Sequence, residues 1–224
     1  MTQQYGAQAA NLPVIDISPM AGGSEQSKAA MADTLREACE HSGFFYVSGH
    51  GIDSALIAQV FNASKQFFDL PMADKLLVDK AQSKANRGYE PLRGQTLEAG
   101  APPDLKEGFY IGEEVAADDE RALTRFNTGP NQWPHSVADF RPAMEQYYAA
   151  MEALSARIMA ALALSLSLPE DFFADFCKQP LCTLRLLHYP PQPGNPQPGE
   201  KGCGAHTDFG GITVLLLDDK PGLQ

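Results

Sequence analysis

The chain has 224 residues, 44% hydrophobic and 20% charged, a balance that gives one domain of ordinary to large size with a real core. Seventeen Lys and Arg against 28 Asp and Glu leave a net charge of −11, which argues against nucleic acid and anionic membrane surfaces as partners, since both need a basic face. Small substrates respond to local charge and are not excluded.

The first residues, MTQQYGAQAANLP, carry neither the basic nor the apolar region of a signal peptide, and no window of ~18 uninterrupted apolar residues follows. The expected location is the cytoplasm. LPVIDI (12–17) alternates apolar and polar and predicts a short strand. A helix follows over 24–43, capped by Ser24, with Met31, Leu35 and Ala38 on one face and Gly43 at its end. FFYVSG (44–49) is aromatic and β-branched, hence a strand. Asp53 caps a second helix, in which Leu56, Ile57, Val60, Phe61, Ser64, Phe67 and Phe68 fall into a broad stripe of helical period. Pro71 starts a further short helix, PMADKLLV.

From 82 to 136 the chain is irregular, rich in Gly, Pro and polar residues, with LKEGFYIG (105–112) as its one strand-like piece. A stretch this long is often a substrate-side loop or lid. A long helix is expected over 140–168, and Pro169 restarts a short one, PEDFFADF. CTLRLLHYP (182–190) predicts a strand, and PQPGNPQPGEKG (191–202) a turn-forming loop. GAHTDFGGITVLLLDD then reads as strand, glycine break, strand, and KPGLQ as a turn leading into one more.

Four cysteines, Cys39, Cys177, Cys182 and Cys203, include no C-x-x-C pair, so reduced, partly buried thiols are expected. Cys203 lies three before His206, which permits a Cys/His zinc site, but no second close pair completes a tetrahedron. His206 and Asp208 are the sharper pair. Residues i and i+2 of a strand share a face, about 6–7 Å apart along the chain. An imidazole and a carboxylate converging in this way suit Fe(II), whose three-ligand facial arrangement leaves positions open for a chelating co-substrate and O2. Glycines 202, 204, 210 and 211 bracket the pair and let the backbone bend and approach closely. H-x-D alone is a weak signal, open also to an ordinary surface or core pair. Tyr189, on the preceding strand, is placed by topology to reach the same cavity, or to pack with its hydroxyl on backbone.

LPVIDIS, HSGFFYVSGHGI, FFDLPMADK, RGYEPL, DLKEGFYIG, GPNQWP, LRLLHYPPQP and GAHTDFGGITVLLLDD occur in one order along nearly the whole chain. In that order they resemble the isopenicillin N synthase-like branch of the iron(II)/2-oxoglutarate-dependent dioxygenases. The resemblance implies an α+β fold, a distorted jelly roll (double-stranded β-helix) wrapped by an N-terminal helical and mixed region. It implies a division into 1–136, an N-terminal region with the substrate-side loop, and 137–224, the long helix and first part of the jelly roll. It implies Fe(II), 2-oxoglutarate and O2, with His206 and Asp208 as metal ligands and Tyr189 on the co-substrate. Hydroxylation, desaturation or ring closure of a small organic molecule would release succinate and CO2.

Two departures qualify this. Leu187 stands where many relatives have Asn two before the tyrosine. The second iron histidine and the Arg-x-Ser clamp of relatives have no counterpart here: His41, His50, His135 and His188 all lie upstream, and His188 should point opposite Tyr189. The expectation is a chain incomplete at its C-terminus, whose alternative role is that of an inactive remnant, a binding or self-associating module. The irregular 82–136 segment is expected to line the substrate pocket, with Arg87, Tyr89 and Phe109, and Arg185 on the strand, as contacts.

Overall fold

The computed structural model describes residues 12–220. They fall into two compact, interleaved units. One takes residues up to 51, 153–179 and from 210 onward, and the other takes 52–152 and 180–209.

In the first unit, β1 (Val14–Asp16) and β2 (Tyr46–Ser48) pair in parallel, with Ile15 opposite Val47. Parallel strands need a crossover, and α1 (Glu25–His41) supplies it. Its start follows the sequence: the Ser24 hydroxyl accepts the Ser27 N–H at 3.2 Å. Its end does too, because Gly43, at φ 71°, returns its N–H to the Ala38 carbonyl at 3.0 Å. Met31, Ala32, Leu35 and Ala38 are buried on one face, as are Ile15, Ile17, Leu154 and Ile158. Lys28 meets Glu170 at 2.7 Å, and Arg36 donates to the Ser167 hydroxyl at 2.8 Å. The expected helix PEDFFADF does not form: successive turns occupy 169–177, with Phe172 N–H on the Pro169 carbonyl.

The second unit opens with α2 (Ser54–Phe68) and the short α3 (Met72–Lys75), which runs into a 3-10 turn over Leu76–Val78. Asp53 caps α2 through its carboxylate, which accepts the Ala55 N–H at 2.8 Å. Asp53→Ala should cost about 1 kcal/mol, the usual worth of an N-cap, while Asp53→Asn should be near neutral. Urea unfolding midpoints of the two variants check this.

Three strands then form an antiparallel sheet in the order β3 (Gly88–Glu90), β4 (Glu107–Ile111), β5 (Leu184–His188). Gly88 faces Tyr110, Phe109 faces Leu186 and Glu107 faces His188. The core between this sheet and the helices is aromatic. The Phe67 ring lies edge-on to Tyr89 and Phe109 at 5.8 and 4.8 Å, and Phe140, the first residue of a long helix over Phe140–Ser165, lies 5.3 Å away.

The 82–136 stretch thus holds more structure than its composition predicts, since β3 and the short helix α4 (Glu120–Thr124) lie inside it as well as β4. The opposite correction applies to GAHTDFGGITVLLLDD, where no strand forms over 204–219. An extended segment becomes a strand only when a neighbour takes up its N–H and C=O groups, and no described residue pairs with it in a ladder. Phe209 is fully exposed, and Leu215 and Leu217 are 56% and 47% exposed. The turn and strand expected of KPGLQ lie outside the described residues, apart from Lys220.

Candidate functional site

β5 leads directly into Tyr189, and the loop after it delivers the H-x-D pair. His206 Nε2 lies 3.3 Å from Asp208 Oδ1, with the two side chains 36% and 52% exposed. The other ring nitrogen, Nδ1, lies 2.8 Å from the Gly204 carbonyl. A carbonyl only accepts, so this contact places a ring proton on Nδ1 and turns Nε2 toward the carboxylate. Nε2 and a carboxylate oxygen therefore face each other across a gap that a shared proton or a cation can fill. The donor chemistry of this pair fits Fe(II) at two positions, and the Gly204 carbonyl behind the ring is the kind of partner that metal-bound histidines ordinarily have. Among the described residues, no third His, Cys, Asp or Glu joins them.

Tyr189 is joined to this pair through Cys203. The tyrosine hydroxyl neighbours Cys203, whose Sγ lies 3.9 Å from His206 Nδ1. The ring of Tyr189 packs on Gly202, where a Cβ would stand 3.2 Å from Cδ1. Partial burial, then the neighbouring Cys203 thiol, push the tyrosine hydroxyl up to about 12, so it stays a proton donor at neutral pH. Arg185 acts on the same hydroxyl through its charge. Its guanidinium donates to Gln95 Oε1 at 2.6 Å, meets Glu90 at 3.3 Å and lies 4.7 Å above the Tyr110 ring.

The other expected contacts lie elsewhere. Tyr89 and Phe109 have no exposed surface, because on β3 and β4 they point into the aromatic core. Tyr89 also donates its hydroxyl to Glu107. Neither has a face to offer a substrate, and both are corrected to core residues. Arg87 is 2% exposed and donates to the Asn127 carbonyl at 2.7 Å, and burial lowers its pKa from the guanidinium range. It lines a small polar cavity with Glu113, Asn127 and Tyr148, to which none of residues 189–208 contributes. His188 turns away from Tyr189: its Nδ1 contacts Glu107 Oε1 at 2.7 Å, and its ring stacks on Phe68.

Sequence reasoning passed over Asp104 and Lys106. Both are 3% exposed, they form an ion pair, and both reach the loop before His206. The available signal was their i, i+2 spacing at the head of a strand, which puts opposite charges on one face.

Residues 12–136 match the family described as the N-terminal region of non-haem dioxygenase in morphine synthesis. The 2-oxoglutarate-Fe(II) type oxidoreductase hxnY of Emericella nidulans is 46% identical over 217 residues, covering 95% of this chain and 62% of that protein. The 2-oxoglutarate-dependent dioxygenase citB of Monascus ruber is 41% identical over 222 residues, covering 95% and 67%. Among solved structures, a 2OG-Fe(II) oxygenase family protein from Caulobacter crescentus superposes with a TM-score of 0.70 at 27% identity, over 83% of this chain and 58% of that one. A full-length Neurospora crassa protein, solved in complex with alpha-KG and thymine, gives 0.64 at 31% identity, over 80% and 55%.

The chain belongs to the 2-oxoglutarate–iron(II) dioxygenase family, whose cofactors are Fe(II), 2-oxoglutarate and O2. It spans 62–64% of the length of the first curated relatives it matches. No described helix is long and apolar enough to cross a membrane.

Proposed function

We propose that this chain carries part of the iron(II) and 2-oxoglutarate site of an oxygenase acting on a small organic molecule. Hydroxylation, desaturation or ring closure is the outcome, with succinate and CO2 released. The observation that carries the reading is the facing of His206 Nε2 and Asp208 Oδ1 at 3.3 Å, with Nδ1 already engaged by a carbonyl. Bound there, Fe(II) supplies the redox and O2 chemistry that side chains lack. His206 offers a neutral donor whose orientation is fixed from behind. Asp208 offers a charge that offsets part of the dication. Tyr189 keeps its hydroxyl proton and would offer it as a hydrogen bond to an oxygen of 2-oxoglutarate. The Arg185 charge, close enough to act on Tyr189, favours an anion on that side.

The same proposal takes residues 1–136 as the N-terminal region and 137–224 as the long helix and first strands of a distorted jelly roll. Tyr89 and Phe109 drop out of the substrate contacts, and Arg87 stands apart from this site.

Equilibrium dialysis with Fe(II) and labelled 2-oxoglutarate under argon tests the reading. Retention of 2-oxoglutarate should depend on Fe(II). Retention indifferent to the metal, or no metal bound by this chain and by one extended to the relatives' length, would sink it.

The exposed row Val214, Leu215, Leu216 and Leu217 favours a second reading, self-association through an unpaired edge. Sedimentation velocity decides between them. A concentration-dependent dimer with no metal bound supports the second reading.

A further inference from the structure

One stretch of chain, residues 98–106, ties down the loop that leads into His206. The Leu105 N–H donates to the Lys201 carbonyl at 2.9 Å, and Lys201 Nζ meets Glu98 Oε2 at 2.6 Å. Lys106 Nζ donates to Cys203 Sγ at 3.1 Å. The Gly204 N–H donates to Asp104 Oδ1 at 3.0 Å, and the Ala205 N–H reaches Glu98 Oε2 at 3.4 Å. A buried ion pair costs more in lost hydration than it returns unless its remaining atoms are hydrogen-bonded. Here Lys106 takes Asp104 Oδ2, and the oxygen left over takes the Gly204 N–H. Gly204 is the junction: its N–H ends on Asp104, and its carbonyl receives His206 Nδ1–H at 2.8 Å. No side chain fits there, because a Cβ would stand 2.8 Å from Glu98 Cβ and 2.9 Å from its backbone nitrogen.

We propose that Asp104, held by Lys106, is a positioning residue for the metal centre: by fixing Gly204 it holds the carbonyl that turns the His206 imidazole with Nε2 toward Asp208. The inference rests on the reading of His206 and Asp208 as metal donors and assigns them a support that the sequence did not reveal. Asp104 touches neither metal nor substrate. It acts through one backbone residue, as the link behind the carbonyl behind the ring. Supports of this kind alter metal affinity by roughly 10–100-fold when removed.

Asp104→Asn and Asp104→Ala separate positioning from plain stability. Asparagine keeps an oxygen for the Gly204 N–H but loses the charge that pairs with Lys106. Alanine loses both. Both variants should therefore melt lower than wild type, but only alanine should disturb the ring. Long-range 1H–15N spectra of the metal-free chain at pH 8 read the His206 tautomer directly. A proton held on Nδ1 is expected in wild type and in Asp104→Asn, and loss of that preference, a mixture of ring forms, in Asp104→Ala.

Titration with Co(II) as the probe should show Asp104→Asn close to wild type and Asp104→Ala weaker by roughly 10–100-fold. Should Asp104→Ala not fold, the double variant Asp104→Leu with Lys106→Met removes both charges together, restores apolar packing and must show the same mixed tautomer. An unchanged tautomer in the alanine or double variant, or equal loss in asparagine and alanine, would overturn the positioning role. The expected tautomer pattern, with no Co(II) bound by the wild-type chain or by one extended to the relatives' length, would overturn the metal reading instead.

Discussion

Glu107→Leu should destabilise the second compact unit by about 3–5 kcal/mol, the usual result of removing one partner from a buried ion pair. Glu107 and Lys75 each have side chains only 7% exposed and meet at 2.8 Å. The Glu107 carboxylate also accepts from the Tyr89 hydroxyl and contacts His188 Nδ1 at 2.7 Å. Lys75 has one other acceptor, the Phe68 carbonyl at 3.2 Å. Without Glu107 the ammonium stays in a place it can neither leave nor neutralise cheaply, and Tyr89 loses its acceptor in the core. Adding Lys75→Met should restore much of the loss, because two apolar side chains of similar volume replace a pair whose net worth is small. Urea melts of wild type, single and double variants measure this. A single variant as stable as wild type would show that the network carries no stability.

Acid should act through the same carboxyl. Burial raises the Glu107 pKa, but hydrogen bonds from Lys75, Tyr89 and His188 outweigh it and leave the group below its ordinary value of 4.5. A carboxyl depressed on folding binds fewer protons folded than unfolded, so its contribution is present above the unfolded pKa and is lost as pH falls through the folded one. The unit should lose stability as pH falls from that ordinary value, and less steeply in Glu107→Gln. Thermal melts between about pH 3 and 7 check the sign.

What the sequence disclosed, and what it hid, follows from the range of the interactions. Ser24, Gly43 and Asp53 act on backbone within a few residues, so the limits of α1 and the start of α2 could be read directly. β3 was hidden because its pairing partner is the Gly108 to Tyr110 stretch of β4, far along the chain, and because Gly88 and Pro91 look like punctuation. Tyr89 and Phe109 read as pocket residues because their stretch looks irregular, yet each faces the core from a strand. ITVLLLDD has the composition of a strand, but composition reports what a segment could bury and not which neighbour supplies its ladder. His206 and Asp208 were legible because two residues apart is close in any extended backbone. Their support was not, since buried Asp104 and Lys106 look like surface charges until a fold pairs them.

His206→Ala and Asp208→Ala should each weaken metal binding by at least about 100-fold while leaving the fold unchanged. The loss should exceed the roughly 10–100-fold that outer supports command, because a donor atom itself is removed. Stability should hardly move, since both side chains are largely open to solvent, and surface replacements of that sort stay within about 0.5 kcal/mol. The two variants should differ in charge effects. Asp208→Asn keeps an oxygen donor and should retain more affinity than Asp208→Ala, whereas no common side chain replaces Nε2 at position 206. Fe(II) titration under argon, with melting curves alongside, gives both numbers. In a chain extended to the relatives' length, iron-dependent succinate formation from 2-oxoglutarate should disappear in both alanine variants. Metal affinity or 2-oxoglutarate turnover equal to wild type in either alanine variant would place the site elsewhere in the chain.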